Sequence, residues 1–227
     1  MQKQKERSSS KSKLRYSDWI IIDENAKSNF IGYDKLKSEM NLIRFREVET
    51  ENEMNLHLVF DNTPFYAESG GQIGDTGSIE SSSKEVIEIT DTIKDNDYII
   101  HVTNKMPNNQ DSPFTGTVDS KRRQQITSNH TSTHLLNLAL KKILGTNVEQ
   151  RGSMISEESF RFDFSHKMKL SKEELNKVEE YVNNLIKESI DLIEERSADY
   201  KEVIKKIALG SDLMVGASCD YTDAGNR

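Results

Sequence analysis

A change of hydrophobic period at Asp119 constrains the fold of this chain more than any other feature. From residue 18 to residue 118 the apolar residues occur in short alternating runs that Asp, Asn and Gly interrupt. Runs of this kind predict antiparallel strands in a meander or a small barrel. From Asp119 to Gly145 the apolar residues instead recur at the spacing of a helix. The sequence therefore predicts an α+β protein in which a β-rich small barrel precedes a part that contains helices.

The ends of the predicted helices carry specific chemical signals. Asp119 is predicted to cap the first helix at its N-terminus, and Gly145 is predicted to cap its C-terminus. Ser171 and Glu174 form a capping box at the start of a second helix, which is predicted to reach residue 195. Between the helices one strand is predicted from three alternating phenylalanines, which are Phe160, Phe162 and Phe164. The predicted order after residue 118 is therefore helix–strand–helix.

Composition and charge exclude several classes of protein. The chain has no apolar segment near its N-terminus and no run near the roughly 18 apolar residues of a membrane span, so no signal peptide or membrane association is expected. The one cysteine, Cys219, excludes an internal disulfide and favours a cytoplasmic location. The net charge of −7 argues against nucleic-acid binding through overall charge. A local basic patch, Lys121, Arg122 and Arg123, still leaves contact with a phosphate backbone open.

Two of the five histidines, His130 and His134, lie four residues apart on the first predicted helix. Residues at this spacing project from one face, so the two imidazoles could hold one cation. Thr131 stands where the metalloprotease motif has its glutamate, which excludes that motif. A catalytic zinc takes three protein ligands, and the alternative of two half-buried histidines without a metal therefore stays open.

The glycine-rich segment ESGGQIGDTG, residues 68–77, has two interpretations. Its glycines are typical of a turn that needs positive φ angles. The segment matches neither of the glycine-rich phosphate-binding motifs, so nucleotide binding is not indicated. A turn does not require the glutamine within it, and Gln72 could instead present its amide to a small polar group.

Four segments, taken in their order and spacing, carry a resemblance to a known family. They are TPFYAESGGQIGDTG at residues 63–77, SNHTSTHLLNLALKKILG at 128–145, VEQRGSMIS at 148–156 and FRFDFSH at 160–166. Together they resemble the editing region of alanyl-tRNA synthetases and the free-standing editing proteins related to it. The resemblance covers roughly residues 18–195. In that family the loop that carries the glutamine faces the editing pocket across from a metal.

The resemblance implies a deacylase with a zinc cofactor and tRNA(Ala) as partner. The family charges tRNA with alanine, and its editing region hydrolyses the ester of tRNA(Ala) mischarged with serine or glycine. Its zinc is held by an HxxxH pair and a later CxxxH pair, of which His130 and His134 match the first. Gln72 matches the pocket glutamine, which is suited to hydrogen-bonding a seryl hydroxyl. Lys121, Arg122 and Arg123 are predicted to contact phosphates of the tRNA.

The chain departs from the family's pattern in its last part. No histidine follows His166, and Asp223 stands four residues after Cys219, so the CxxxH motif is missing and the zinc site is expected to be incomplete. The chain also lacks the aminoacylation domain, so ATP and alanine, which bind the full-length family, are not expected to bind here.

Four segments are predicted: a disordered or helical lead-in (1–17), a β-barrel-like domain (18–118), the editing-domain core (119–195) and a remnant that resembles the C-terminal domain (196–227).

Whether the chain is an enzyme stays open on these residues. The first hypothesis is an editing deacylase of which the chain carries part of the site. The second is a non-catalytic remnant that binds tRNA or another partner, with phosphate contacts from Lys121, Arg122, Arg123, Lys141 and Lys142. A third hypothesis is that the chain is a truncated product of a longer gene.

Overall fold

The computed structural model describes residues 14–50, 53–110 and 113–188. These residues contain both strands and helices, and the predicted α+β class is confirmed. The chain divides into two compact units, residues 1–125 and residues 126–227. Most of the predicted lead-in, the whole segment 196–227 and Cys219 lie outside the described residues. The predicted domain boundaries stay predictions.

The described part of the first unit consists mainly of short strands. They are β1 (Arg15–Tyr16), β2 (Ile20–Ile21), β3 (Asn29–Phe30), β4 (Lys37–Met40), β5 (Leu42–Glu49), β6 (Met54–Phe60), β7 (Asn62–Thr63), β8 (Gly77–Ser81), β9 (Val86–Ile89), β10 (Asp91–Asp95), β11 (Tyr98–Thr103) and β12 (Phe114–Val118). Most of these strands occur where the alternating runs predict them. β1, the polar strand β4 and β7 were not predicted, and one predicted run forms both β9 and β10.

Two antiparallel sheets are joined at two corners, where the chain passes from a strand of one sheet to a strand of the other. One sheet follows the order β5–β6–β11–β10, and the other follows β9–β8–β12–β4. Only Asn41 separates β4 from β5, and only Thr90 separates β9 from β10, so each corner passes a strand from one sheet to the other. The two sheets are therefore connected along the chain into one curled, half-barrel arrangement. At the rim of the sheets β1 and β2 both pair with β5, and β3 pairs with β7 in parallel.

Alternate residues of these strands build the core of the first unit. Phe45 pairs with Leu58, and Leu58 pairs with His101, so one row of side chains crosses three strands on one face. His101 is fully buried, and the rings of Phe60 and Phe65 meet it edge-on at centroid distances of 5.0 and 5.1 Å. The buried apolar members of this core are Met40, Leu42, Phe45, Leu56, Leu58, Phe60, Phe65, Ile79, Ile87, Ile89, Phe114 and Val118.

Two helices and a hairpin follow the barrel strands. They are α1 (Ser120–Leu144), β13 (Gln150–Ile155), β14 (Phe160–Phe164) and α2 (Lys172–Glu188). The N-cap of α1 is confirmed, because Asp119 Oδ1 accepts the Arg122 N–H at 3.0 Å. The capping box of α2 is confirmed by the reciprocal bonds between Ser171 and Glu174. The predicted continuation of this helix from residue 189 to residue 195 lies outside the described residues.

The strand predicted from Phe160, Phe162 and Phe164 is confirmed as β14, but the prediction of a single strand was wrong, because β13 precedes it and the two form an antiparallel hairpin. β13 has the sequence QRGSMI, which contains no alternation of apolar and polar residues. Its extended backbone is stabilised by hydrogen bonds to β14, and its pairing shifts register between Gln150 and Gly152. A strand that depends on its partner in this way leaves no periodic signal in its own sequence.

The second unit has a small apolar core of its own. Ala139 and Leu140 of α1 are buried together with Val148 and with Val178 of α2. Phe162 and Phe164 of β14 pack against this cluster, with their rings stacked at 6.3 Å. Neither helix in the described part of the chain has the length and apolar content that a bilayer crossing requires.

Candidate functional site

The glycine-rich loop between β7 and β8 folds into a tight turn that ends at Gln72. The Gln72 N–H donates to Ser69 O at 2.9 Å, and the Ser69 N–H donates to Gln72 O at 3.1 Å. Gly70 and Gly71 lie between them with φ angles of +60° and +86°, a region that favours glycine. The positive φ angles predicted for this segment are therefore confirmed. The side chain of Gln72 is buried, with 6% of its residue surface exposed.

Below the turn, the two ends of the loop are joined by Tyr66 and Asp75. The Asp75 N–H donates to Tyr66 O at 2.9 Å, and the Tyr66 N–H donates to Asp75 Oδ2 at 2.7 Å. The Thr92 hydroxyl of β10 donates to Asp75 O at 2.9 Å. A Cβ added to Gly74 would lie 1.9 Å from Thr92 O, so the loop backbone packs directly on β10. These contacts fix both ends of the segment that carries Gln72.

Arg123, in the first turn of α1, neutralises the buried carboxylate of Asp75. Its Nε donates to both carboxylate oxygens at 2.9 Å, and its Nη2 also contacts Oδ2. The same guanidinium donates to Gly32 O at 2.9 Å and to Pro64 O at 3.0 Å. Asp75 is 1% exposed, and a charge buried to this degree needs a paired and hydrogen-bonded partner. Arg123 supplies that partner.

The structure gives the predicted basic patch an internal role that sequence reasoning missed. Arg122 Nη1 donates to Gly74 O at 2.8 Å, so both arginines hold the glycine-rich loop. Their partners lie 48 residues earlier in the chain, and no local pattern indicates such a contact. Lys121 is exposed. Contact between tRNA phosphates and Lys121, Arg122 or Arg123 stays a prediction.

The histidine pair lies on α1 with its two rings stacked. The ring centroids of His130 and His134 are 5.1 Å apart, and the ring planes make an angle of 20°. Partial burial lowers the pKa of both imidazoles, and the neighbouring His134 lowers that of His130 further. Both rings are therefore held in the neutral form near pH 7, which is the form that binds a metal.

The described residues supply two imidazole donors toward the predicted zinc site. A catalytic zinc takes three protein ligands, and a structural one takes four. Within residues 14–50, 53–110 and 113–188, no group of three or more His, Cys, Asp or Glu side chains is placed to hold a metal ion. Cys219 lies outside the described residues. His130 and His134 are two donors of the type that zinc takes, and the zinc stays a prediction.

Known proteins similar to this chain are aminoacyl-tRNA synthetases. An alanine–tRNA ligase of Christiangramia forsetii is 43% identical over 210 residues, which cover 92% of this chain and 24% of the relative. One from Bacteroides fragilis is 43% identical over 202 residues, covering 89% of this chain and 23% of the relative. One from Cytophaga hutchinsonii is 43% identical over 216 residues, covering 95% and 24%. The chain thus spans 23% to 24% of the length of these curated relatives.

A family model for class II tRNA synthetases (A) matches residues 1–122, which is more than half of the 227 residues. The matched part includes the barrel strands, the glycine-rich loop with Gln72 and the first residues of α1. The resemblance to alanyl-tRNA synthetases is confirmed by this match together with the 43% identity to three alanine–tRNA ligases, and the chain belongs to the class II tRNA synthetase (A) family.

Proposed function

We propose that this chain serves the editing reaction of the alanyl-tRNA synthetases. In that reaction the ester that joins serine or glycine to mischarged tRNA(Ala) is hydrolysed. The observation that carries the proposal is the burial of Gln72 on a loop that is fixed at both ends. An amide has both a donor and an acceptor, so it can hydrogen-bond the hydroxyl of a seryl group. Alanine lacks that hydroxyl and would leave the amide without this bond. Gln72 would therefore favour removal of serine over removal of alanine.

His130 and His134 are proposed as two ligands of a Zn²⁺ ion. Their rings share one face of α1, and their lowered pKa favours neutral imidazoles, each with one unprotonated nitrogen that can bind a metal. When held by a complete ligand set, zinc can polarise an ester carbonyl or activate a water molecule. Because the described residues provide two of the three protein ligands that such a site takes, the steps that we assign to this chain are recognition and ligand donation.

The second candidate is a non-catalytic protein that binds tRNA(Ala). Lys121, Lys141 and Lys142 are exposed on α1 and are able to meet phosphates. Binding by these side chains alone would weaken steeply with salt and would not depend on a metal. Arg122 and Arg123 support this candidate less, because both donate to the protein's own backbone.

Hydrolysis of Ser-tRNA(Ala) by the full chain distinguishes the two functions. We expect serine release above the spontaneous rate when Zn²⁺ is present, and we expect a chelator or His134→Ala to abolish it. His166→Ala is the matched control, because His166 is exposed and lies outside the stacked pair. Binding of the tRNA without metal-dependent release of serine would contradict the editing function and support the second candidate.

A further inference from the structure

A single half-buried guanidinium, that of Arg123, organises the loop that presents Gln72. The loop leaves β7 at Pro64, turns at residues 69–72 and returns at Asp75, three residues after Gln72. Arg123 donates to Pro64 O at the start of this loop and to the Asp75 carboxylate at its end. Its Nη1 donates to Gly32 O, in the segment that follows β3. One side chain of α1 thus connects both ends of the loop to a neighbouring segment.

The carboxylate of Asp75 accepts bonds from two directions. The Tyr66 N–H reaches Oδ2 from within the loop, while Arg123 reaches both oxygens from α1. The side chain of Arg123 is 13% exposed and that of Asp75 is 1% exposed, so the carboxylate is shielded from water and depends on its protein partners. Charge-assisted bonds in a buried, forked geometry are stronger than neutral bonds and are selective for arginine over lysine.

From this geometry we propose that the Asp75–Arg123 ion pair is a positioning pair that holds Gln72 in its recognition geometry. The inference rests on the proposed editing function for its effect on serine removal. The pair does not touch the substrate. It acts through Gln72, because Asp75 closes the loop and Arg123 fixes the closed loop to the segments at Pro64 and Gly32.

The first test measures serine release from Ser-tRNA(Ala) by the full chain carrying Arg123→Lys, alone and combined with Gln72→Ala. A lysine keeps the positive charge but offers one ammonium in place of the fork, so we expect a loss of roughly tenfold or more. If the pair acts through Gln72, adding Arg123→Lys to Gln72→Ala costs little further activity. Full additivity of the two losses would overturn the positioning role, since a general loss of structure would lower both backgrounds alike.

The second test does not require activity, and it separates failure of the pair from failure of the editing function. Amide hydrogen exchange in residues 66–75 should be roughly tenfold faster or more in Arg123→Lys, while exchange in β5 and β6 stays slow. Asp75→Asn should give the same exchange pattern, and this variant replaces Arg123→Lys in the experiment if Arg123→Lys does not fold. Arg161→Lys is the matched control, since Arg161 and Asp163 form an exposed ion pair. Unchanged exchange in residues 66–75 would overturn the proposal even if serine is released.

Discussion

Lowering the pH from 7 to 5 should destabilise the barrel unit by about 2 kcal/mol through His101 alone. The imidazole is fully buried, and both of its nitrogens have partners. Leu58 O can only accept, so Nδ1 carries the proton and donates to it at 3.2 Å. Nε2 then accepts from the Thr63 hydroxyl at 2.7 Å, and Thr63 Oγ1 accepts the Phe65 N–H at 3.1 Å. In this network the neutral ring provides the acceptor for the Thr63 hydroxyl, and protonation of Nε2 would remove that acceptor.

Burial lowers the pKa of His101 from 6.5 to about 4, and the bond to Leu58 O offsets part of this effect. The group's contribution to stability is present above pH 6.5 and is lost as the pH falls toward 4, because the unfolded chain binds the proton first. At pH 5 the solution is about 1.5 pH units below the unfolded-state pKa. Protonation therefore stabilises the unfolded state by about 2 kcal/mol relative to the folded state. Below the folded-state pKa the loss levels off at about 3 kcal/mol.

Urea unfolding at pH 7 and pH 5 measures this loss. Trp19, the one tryptophan of the chain, packs beside Ile43, Val59 and Ile100 in the first unit, so its fluorescence reports on that unit. His101→Gln removes the titrating ring and should reduce the loss between the two pH values by about 2 kcal/mol, even though the variant is less stable at pH 7.

His57 must be separated from His101 in this experiment. Burial and the nearby Arg46 lower the pKa of His57 to about 4, while Asp95 raises it in part. Its contribution has the same sign and is present in both proteins, so it cancels when wild type and His101→Gln are compared. The exposed His166→Gln should retain the full pH dependence. The reasoning is refuted if His101→Gln loses as much stability between pH 7 and pH 5 as the wild type.

Three further predictions concern the loop, the helix cap and the metal. Gly74→Ala should destabilise the first unit by roughly 2 kcal/mol or more in urea unfolding, because its Cβ would lie 1.9 Å from Thr92 O. An unchanged free energy of unfolding in Gly74→Ala would contradict this packing. Asp119→Ala should cost about 1 kcal/mol through loss of the bond to the Arg122 N–H, measured in the same way. Calorimetric titration with Zn²⁺ should show binding that His130→Ala weakens by tenfold or more, roughly the loss of one metal ligand; equal affinity in both proteins would exclude the pair as ligands.

The elements that the sequence predicted well are those determined by local chemistry. Asp119, Gly145 and Ser171 act on backbone groups within four residues of themselves, so their roles in helix capping follow from the sequence around them. One face of β5 and of β6 meets the main core, and Ile43, Val59 and Ile100 are buried in a second apolar cluster, so these strands are marked by their apolar content. In contrast, β4 has the sequence KSEM and exists as a strand because it pairs with β12.

The parts of the site that escaped prediction depend on long-range contacts. Gln72 was selected from its glycine neighbours, but those neighbours do not predict its burial. Arg122 and Arg123 have the composition of a phosphate-binding patch, and only the fold shows that they bind Gly74 O and Asp75. Asp75 itself is one acidic residue in a polar loop, and its burial could not be predicted without its partner.

The most direct measurement compares hydrolysis of Ser-tRNA(Ala) with hydrolysis of Ala-tRNA(Ala) by the full chain, for the wild type and for Gln72→Ala. We expect the wild type to remove serine at least about tenfold faster than alanine, because a buried amide that binds a hydroxyl discriminates against a group without one. Gln72→Ala should lose this preference, while the exposed control Gln150→Ala should keep it. An equal rate for both substrates in the wild type, or an unchanged preference in Gln72→Ala, would contradict the assignment of Gln72 as the recognition residue.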